Sequence, residues 1–251
     1  MSLTITNTAG SLGDWLSLTP LLIARPNSTV IAKESPHTRQ FARLYEGLAE
    51  VKFTDENIPH TLETDEELCF SQRVLNYYKV DNVNAIPKIF LREDEIEWAR
   101  KFLEQYQNPV VINNTVGGAT SSKPDSDLSN YRRWPDVLTK DIIAALKLNN
   151  HTVLRFGTKT IQSNIYSNYD EFENVINIPD LNLRQLAACY SVIGKYVGTD
   201  TGDMHLMLAV GGSCEVFVPP SAYHYNHDKH HYKPENFGTD MVKIVYNVWS
   251  R

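Results

Sequence analysis

The chain has 251 residues, 42% of them hydrophobic, with three cysteines and a formal net charge of −6. That is enough apolar material for a sizeable core in one large domain or two small ones, with two lobes expected, and the acidic balance argues against a general affinity for nucleic acid or anionic membrane surfaces. Cys69, Cys189 and Cys214 are far apart, odd in number and without C-x-x-C pairing, so neither a disulfide framework nor a zinc site is suggested, and a reducing cytoplasm is the expected compartment.

The start, Met1 to Asn7, carries no charged segment ahead of an apolar one, and no run is long enough to cross a bilayer. Leu3 to Thr6 reads as a strand, Asn7 to Leu12 as a small-residue turn, and Asp14 to Ile23 as a helix. A second unit follows, with a strand at Thr29 to Ala32, a helix at Thr38 to Leu48, a strand at Val51 to Thr54 and a helix at Asp65 to Tyr78. The acidic start of that last helix, Asp65-Glu66-Glu67, favours the helix dipole and needs no catalytic role.

The helix Asp94 to Gln107 ends at Asn108-Pro109, and a new strand, Val110 to Asn113, opens a second α/β unit, so a boundary is expected between 1–107 and 108–251. A polar loop from Asn114 to Asn130 then leaves the end of that strand, where open α/β sheets bind ligands. The expected elements beyond it are a helix at Trp134 to Leu148, a strand at Thr152 to Phe156, and a helix that Asn182 caps with Gln185 as its capping-box partner. Leu183, Leu186, Ala187 and Tyr190 repeat at helical spacing and are expected in the core. Glu215 to Val218 reads as a strand stopped by Pro219-Pro220, and Asp240 to Trp249 as a final helix. Alternating strands and helices of this kind build parallel sheets covered by helices.

The most informative stretch is Tyr196-Val-Gly-Thr-Asp200-Thr-Gly-Asp-Met-His205, where a β-type run breaks into an Asp-Thr-Gly turn that opens onto a helical run, Met204 to Val210. A first helical turn leaves N–H groups unpaired and carries the positive end of the dipole, so a diphosphate is a natural ligand. Gly202 admits close backbone approach, Thr201 adds a hydroxyl donor, and His205 lies about one turn into the helix. The competing reading makes Asp200 a helix cap and His205 a core residue.

Two separated motifs together resemble one family. Gly10-Ser-Leu-Gly-Asp14-Trp-Leu-Ser-Leu-Thr-Pro20-Leu-Leu near the start, and Leu181-Asn-Leu-Arg-Gln-Leu-Ala-Ala followed by Val197-Gly-Thr-Asp200-Thr-Gly-Asp-Met-His205-Leu near the end, look like the signatures of glycosyltransferase family 9, the ADP-heptose:lipopolysaccharide heptosyltransferases. Between them, Tyr131-Arg132-Arg133-Trp134-Pro135 resembles the basic-x-Trp-Pro segment of that family's donor domain.

The resemblance implies an α/β, GT-B-like architecture: two Rossmann-like lobes with parallel sheets facing a cleft, here with a reduced N-terminal acceptor-side lobe and a C-terminal nucleotide-sugar lobe. It implies an inverting, metal-independent transfer of a heptose or other hexose-type sugar from a nucleotide-diphosphate donor. The acceptor implied is a glycan or a lipopolysaccharide-type molecule, which is compatible with peripheral membrane contact. The sugar donor is a substrate, and no cofactor is expected. Asp14 matches the family's proposed catalytic base, although capping of the following helix suits the same position.

Arg132 falls where the family carries a basic residue, commonly lysine, at the donor phosphates, with Arg133 as the alternative one residue on. A guanidinium keeps the charge and changes the geometry. Thr115 matches a hydroxyl near the phosphates, and Gln162 lies near a glutamate that binds ribose hydroxyls. Asp200, Thr201, Gly202 and His205 carry over onto the donor-binding turn.

Asp125-Ser-Asp127 has the form of a metal-holding D-x-D motif but sits in a Ser-rich loop, and it is not expected to hold a catalytic metal. His224, His227, His230 and His231 form a dense cluster that is read as a polar cleft loop, with metal ligation, or phosphate contact alongside Lys229 and Lys233, as the alternatives. Two further readings are a nucleotide-sugar 2-epimerase-like enzyme, which would need further cleft carboxylates, and a non-catalytic nucleotide-sugar-binding module.

Overall fold

The computed structural model describes residues 3–7, 11–56, 70–114, 134, 136–157, 172–179, 181–218 and 242–246. Nine strands among them form two parallel sheets. The first contains β1 (Thr4–Asn7), β2 (Ser28–Lys33) and β3 (Ala49–Thr54) in the order β1-β2-β3, with Thr4 opposite Thr29 and Ser28 opposite Ala49. Each crossover is helical. The first comprises α1 (Leu12–Ser17) and α2 (Thr19–Ala24), the second α3 (Pro36–Ala42) and a 3-10 turn at Arg43–Tyr45. The single helix expected over Asp14 to Ile23 is therefore two, broken at Leu18. Pro20 stands in the first turn of α2, where its missing N–H costs no helical hydrogen bond.

The pattern of small and apolar residues around Trp15 explains how α1 is held. Trp15 is fully buried, stacked on Tyr45 at 5.2 Å and tilted against Phe41 at 5.8 Å, and the Tyr45 hydroxyl donates to the Trp15 carbonyl at 2.5 Å. Burying so large a side chain stabilises the fold by roughly 3 kcal/mol, and it fixes which face of α1 remains outside.

Two helices, α4 (Phe70–Tyr77) and α5 (Glu93–Leu103), precede the second sheet. That sheet contains β4 (Pro109–Asn113), β5 (Thr152–Gly157), β6 (Val175–Pro179), β7 (Lys195–Gly198), β8 (Ser213–Val218) and β9 (Val242–Tyr246). Its helices are α6 (Asp136–Leu148), α7 (Leu183–Ile193) and α8 (Gly202–Ala209). The order is β6-β5-β4-β7-β8-β9, all parallel. Numbered within the sheet this is 3-2-1-4-5-6, the Rossmann order, whose direction reverses between β4 and β7. Ligands bind outside the strand ends at such a switch point.

Two sequence expectations are corrected. Val242–Tyr246 is a strand paired with β8, not part of a final helix. The run Val-Lys-Ile-Val-Tyr is β-branched and alternates, and pairing at the sheet edge decides the ambiguity. β6 was not anticipated at all, because Val-Ile-Asn-Ile-Pro is short and ends in proline. The Asn182 cap is present as expected: its Oδ1 accepts from the N–H groups of Arg184 and Gln185 at 3.0 Å, and Gln185 Oε1 accepts from the Asn182 N–H at 3.1 Å.

An unexpected arginine joins the two halves. Arg184, in the first turn of α7, is 6% exposed. It forks onto Glu95 of α5 through Nε at 2.5 Å and Nη2 at 2.6 Å, and it also donates to the carbonyls of Arg43 at 3.1 Å and Phe90 at 2.9 Å. The Arg184 guanidinium holds the Glu95 carboxyl below its ordinary range. Helical spacing had marked the neighbours of Arg184 as core and passed over the arginine, whose burial only its partners permit.

Candidate functional site

The site lies where the first turns of α1 and α8 meet. Ser11 is the N-cap of α1, and its hydroxyl accepts from the Asp14 N–H at 3.3 Å and donates to Asp14 Oδ2 at 2.6 Å. Asp14 is thus the third residue of the helix and not its cap. One carboxylate oxygen is engaged by Ser11, on a half-buried side chain held above the Trp15 anchor. Behind it, the phenol of Tyr45 is buried beside Asn7, and desolvation pushes that hydroxyl well above its usual value, so it stays neutral.

Opposite, β7 ends at Gly198 and the chain turns through Thr199, Asp200 and Thr201 into α8. The turn is rigid for identifiable reasons. The Tyr196 hydroxyl donates to the Thr199 carbonyl at 2.7 Å, and the Thr199 N–H donates to the Asn113 carbonyl at 2.9 Å. A Cβ at Gly198 would come within 2.6 Å of that same Asn113 oxygen, so only glycine lets β7 pass so close to β4.

Thr201 is the N-cap of α8, and its side chain makes no capping bond. Its Oγ1 lies 3.2 Å from the Tyr196 hydroxyl. That tyrosine proton is committed to Thr199, so Thr201 donates inward to Tyr196. The Thr201 hydroxyl is thus engaged with Tyr196, and the uncapped start of α8 leaves backbone N–H groups exposed beside Thr201 and Gly202. Asp200 is outside the cap as well; its Oδ1 sits 3.5 Å from His205 Nε2, the separation of an ion pair.

The two first turns interlock. A Cβ on Gly13 would lie 2.9 Å from His205 Cδ2, and one on Gly202 would lie 2.9 Å from Leu12 Cβ. The first turn of α1, which carries Asp14, and the first turn of α8, with Gly202 and His205, therefore meet along one seam. Thr115, Arg132 and Gln162 lie outside the described residues, as do Arg133, Asp125, Asp127 and the histidine cluster from His224 to His231. Trp134 of the basic-x-Trp-Pro segment is described, and it is structural: 1% exposed, edge-on to Phe217 at 5.0 Å, with its N–H donating to the Asn114 carbonyl at 3.0 Å.

Sequence reasoning missed Asn113 and Asp203. Asn113 Nδ2 donates to Asp203 Oδ2 at 2.6 Å. Burial pushes the Asp203 carboxyl above its ordinary value, against the hydrogen bonds of Asn113 and Tyr190 and the charge of Arg155. The signal was present, an amide ending an apolar strand and a second acid inside the Asp-Thr-Gly segment, but nothing in the sequence joins positions ninety residues apart.

Among the described residues no three His, Cys, Asp or Glu side chains group as metal ligands, and no helix is long and apolar enough to cross a membrane.

Solved structures share this fold. A glycosyl transferase of family 9 from Veillonella parvula superposes with a TM-score of 0.67 at 14% identity, over 98% of this chain and 86% of that one. E. coli ADP-heptose lipopolysaccharide heptosyltransferase II gives 0.61 at 10% identity, over 98% and 90%. E. coli heptosyltransferase WaaC with ADP-2-deoxy-2-fluoro heptose gives 0.53 at 14% identity, over 98% and 93%. No family model and no curated protein sequence matches the chain. The architecture is thus the GT-B-like arrangement of parallel sheets seen in these glycosyltransferases.

Proposed function

We propose that the protein is an inverting glycosyltransferase that moves a sugar from a nucleotide-diphosphate donor to a hydroxyl of a glycan or related polar acceptor. The observation that carries this reading is the interlock of the two first turns, in which Gly13 of the helix that carries Asp14 packs on His205 and Gly202 packs on Leu12. In this reading the two helices supply the two ingredients of the displacement. The acceptor oxygen attacks the anomeric carbon as the bond to the diphosphate breaks, Asp14 takes the hydroxyl proton, and the departing diphosphate keeps the bonding pair.

Asp14 is suited to its part by its surroundings. Ser11 fixes one oxygen and leaves the other able to accept a proton. The backbone N–H groups at the start of α8, uncapped by Thr201, and the positive end of the helix dipole stabilise the leaving charge. His205 and Asp200 position the sugar or pyrophosphate, and the sequence adds Arg132, Thr115 and Gln162 as donor contacts. Residues 1–107 form the acceptor-side lobe and 108–251 the donor lobe in this reading, with the nucleotide at the β4/β7 switch point. It involves no metal and places the enzyme in the cytoplasm. Two of the solved structures that share the fold are described as heptosyltransferases and named with ADP-heptose or a fluoro analogue of it, which supports a nucleotide-diphosphate sugar here.

The test is a thermal-shift screen against ADP-, GDP-, UDP- and dTDP-sugars, followed by transfer assays with the stabilising donor. A true donor present at 100 times its Kd raises stability by about 2.7 kcal/mol. A chain that no nucleotide sugar or pyrophosphate stabilises is not a donor-binding protein.

A further inference from the structure

The hydrogen bond from Asn113 to Asp203 crosses the point at which the second sheet reverses its strand order. Asn113 is the last residue of β4 and Gly198, its register partner, the last of β7. Beyond them the chain diverges: one strand runs through Asn114 into the polar loop, the other through Thr199 into α8. Among the described residues the last backbone hydrogen bond between the two ends runs from the Thr199 N–H to the Asn113 carbonyl. Past that bond the Asn113 side chain ties the end of β4 to the first turn of α8.

We propose that Asp203 and Asn113 form a positioning pair that holds the end of β4 against the first turn of α8, so that the strand end and the exposed N–H groups of the donor turn keep one spacing. The inference rests on the reading of that cradle as a diphosphate site. Neither residue needs to touch the ligand.

Three features single out this pair from ordinary packing. The contact is short, 2.6 Å, as expected when the acceptor is a charged carboxylate. The acid stands at the second position of α8, where a carboxylate left facing outward would compete with an anionic ligand for the helix's positive end. Its hydrogen bond from Asn113 directs that charge toward the sheet. Finally, the elements around it leave little slack: Tyr190 and Tyr196 are fully buried and Arg155 is 6% exposed. A rigid platform of this kind places cradle groups accurately, which is what binding and catalysis require.

The experiment is calorimetric titration with inorganic pyrophosphate of the full chain and of five variants: Asn113→Ala, Asp203→Ala, the double alanine, Asp203→Asn, and the exchange Asn113→Asp with Asp203→Asn. Melting temperatures are taken in parallel. Each single alanine should weaken pyrophosphate by about tenfold or more, the range expected for loss of a hydrogen bond to a charged group. The double alanine should be no weaker than the worse single, because both break the same bond.

The exchange, which keeps a carboxylate and an amide facing each other, should return affinity to within a few-fold of the parent. If an alanine variant does not fold, Asp203→Asn still decides the matter. It preserves shape and an acceptor for Asn113 but loses the charge, and should fall between parent and alanine. Parent-like affinity in the alanine variants, additive losses in the double, or failure of the exchange to restore binding would each overturn the pair's role. A melting temperature that falls while affinity holds would show it to be structural only. Absence of pyrophosphate binding in the parent chain is a separate failure, that of the donor-site reading itself.

Discussion

Gly13 lies flat against the imidazole of His205: a β-carbon added to it would stand 2.9 Å from Cδ2 and 3.3 Å from Nε2. Glycine at this point lets the helix that carries Asp14 approach the helix that carries the donor turn, and nothing larger fits without moving the ring. Gly13→Ala is therefore expected to displace His205 from Asp200 and to cost about 1–3 kcal/mol through overpacking. Thermal melts read the stability, and pyrophosphate titration reads the loss of donor affinity. An alanine variant with unchanged melting and binding would show that the seam is slack.

Asp14→Asn removes the proton acceptor and keeps the side chain's shape. Transfer should fall by about 10²- to 10⁴-fold, the usual contribution of a general base, while pyrophosphate binding and melting temperature stay near those of the parent. Retained turnover in this variant would refute Asp14 as the base. Arg132→Ala should show the opposite pattern, with weaker donor binding the main defect.

The Arg184–Glu95 pair sets a pH dependence of stability. The folded-state pKa of Glu95 is depressed, chiefly by its hydrogen bonds from Arg184, so its contribution is present above the unfolded value and is lost as the pH falls through the folded one. Stability should decline on acidification below about pH 4.3, the ordinary glutamate value. Glu95→Gln should remove this limb of the profile and, by leaving Arg184 with only the more distant Glu46 carboxylate at 3.6 Å, destabilise by about 3 kcal/mol at neutral pH. Urea unfolding across pH 3 to 7 tests both parts, and an identical acid limb in parent and variant would contradict the assignment.

Tyr196→Phe deletes a single hydroxyl that serves both the Thr199 carbonyl and Thr201 Oγ1. Both partners, the Thr199 carbonyl that accepts and the Thr201 hydroxyl that donates, are buried, so the loss should be about 1–3 kcal/mol, the cost of leaving such groups unsatisfied. The freed Thr201 hydroxyl should then be able to turn outward, and pyrophosphate affinity measured by titration reports whether the inward bond was shaping the turn. A chemical-denaturation midpoint equal to the parent's would mean that water replaces the hydroxyl without penalty.

The sequence by itself determined the local facts. Its alternation of strand and helix specified parallel sheets, Asn182 and Gln185 announced their capping box, and the break from Tyr196 to Gly202 marked the turn at which α8 begins, because periodicity, caps and glycine act over a few residues. Tertiary structure decided what depends on distant partners. Whether Val242–Tyr246 is strand or helix turned on a free edge at β8, whether Arg184 could be buried turned on Glu95, and where Thr201 points its proton turned on Tyr196. The meeting of Gly13 with His205 exists only once the two sheet units are packed, and that of Asn113 with Asp203 only once β4 and β7 lie side by side. Contacts between residues far apart in the chain leave no short-range pattern, since their geometry is fixed by the packing of whole elements and not by neighbours in sequence.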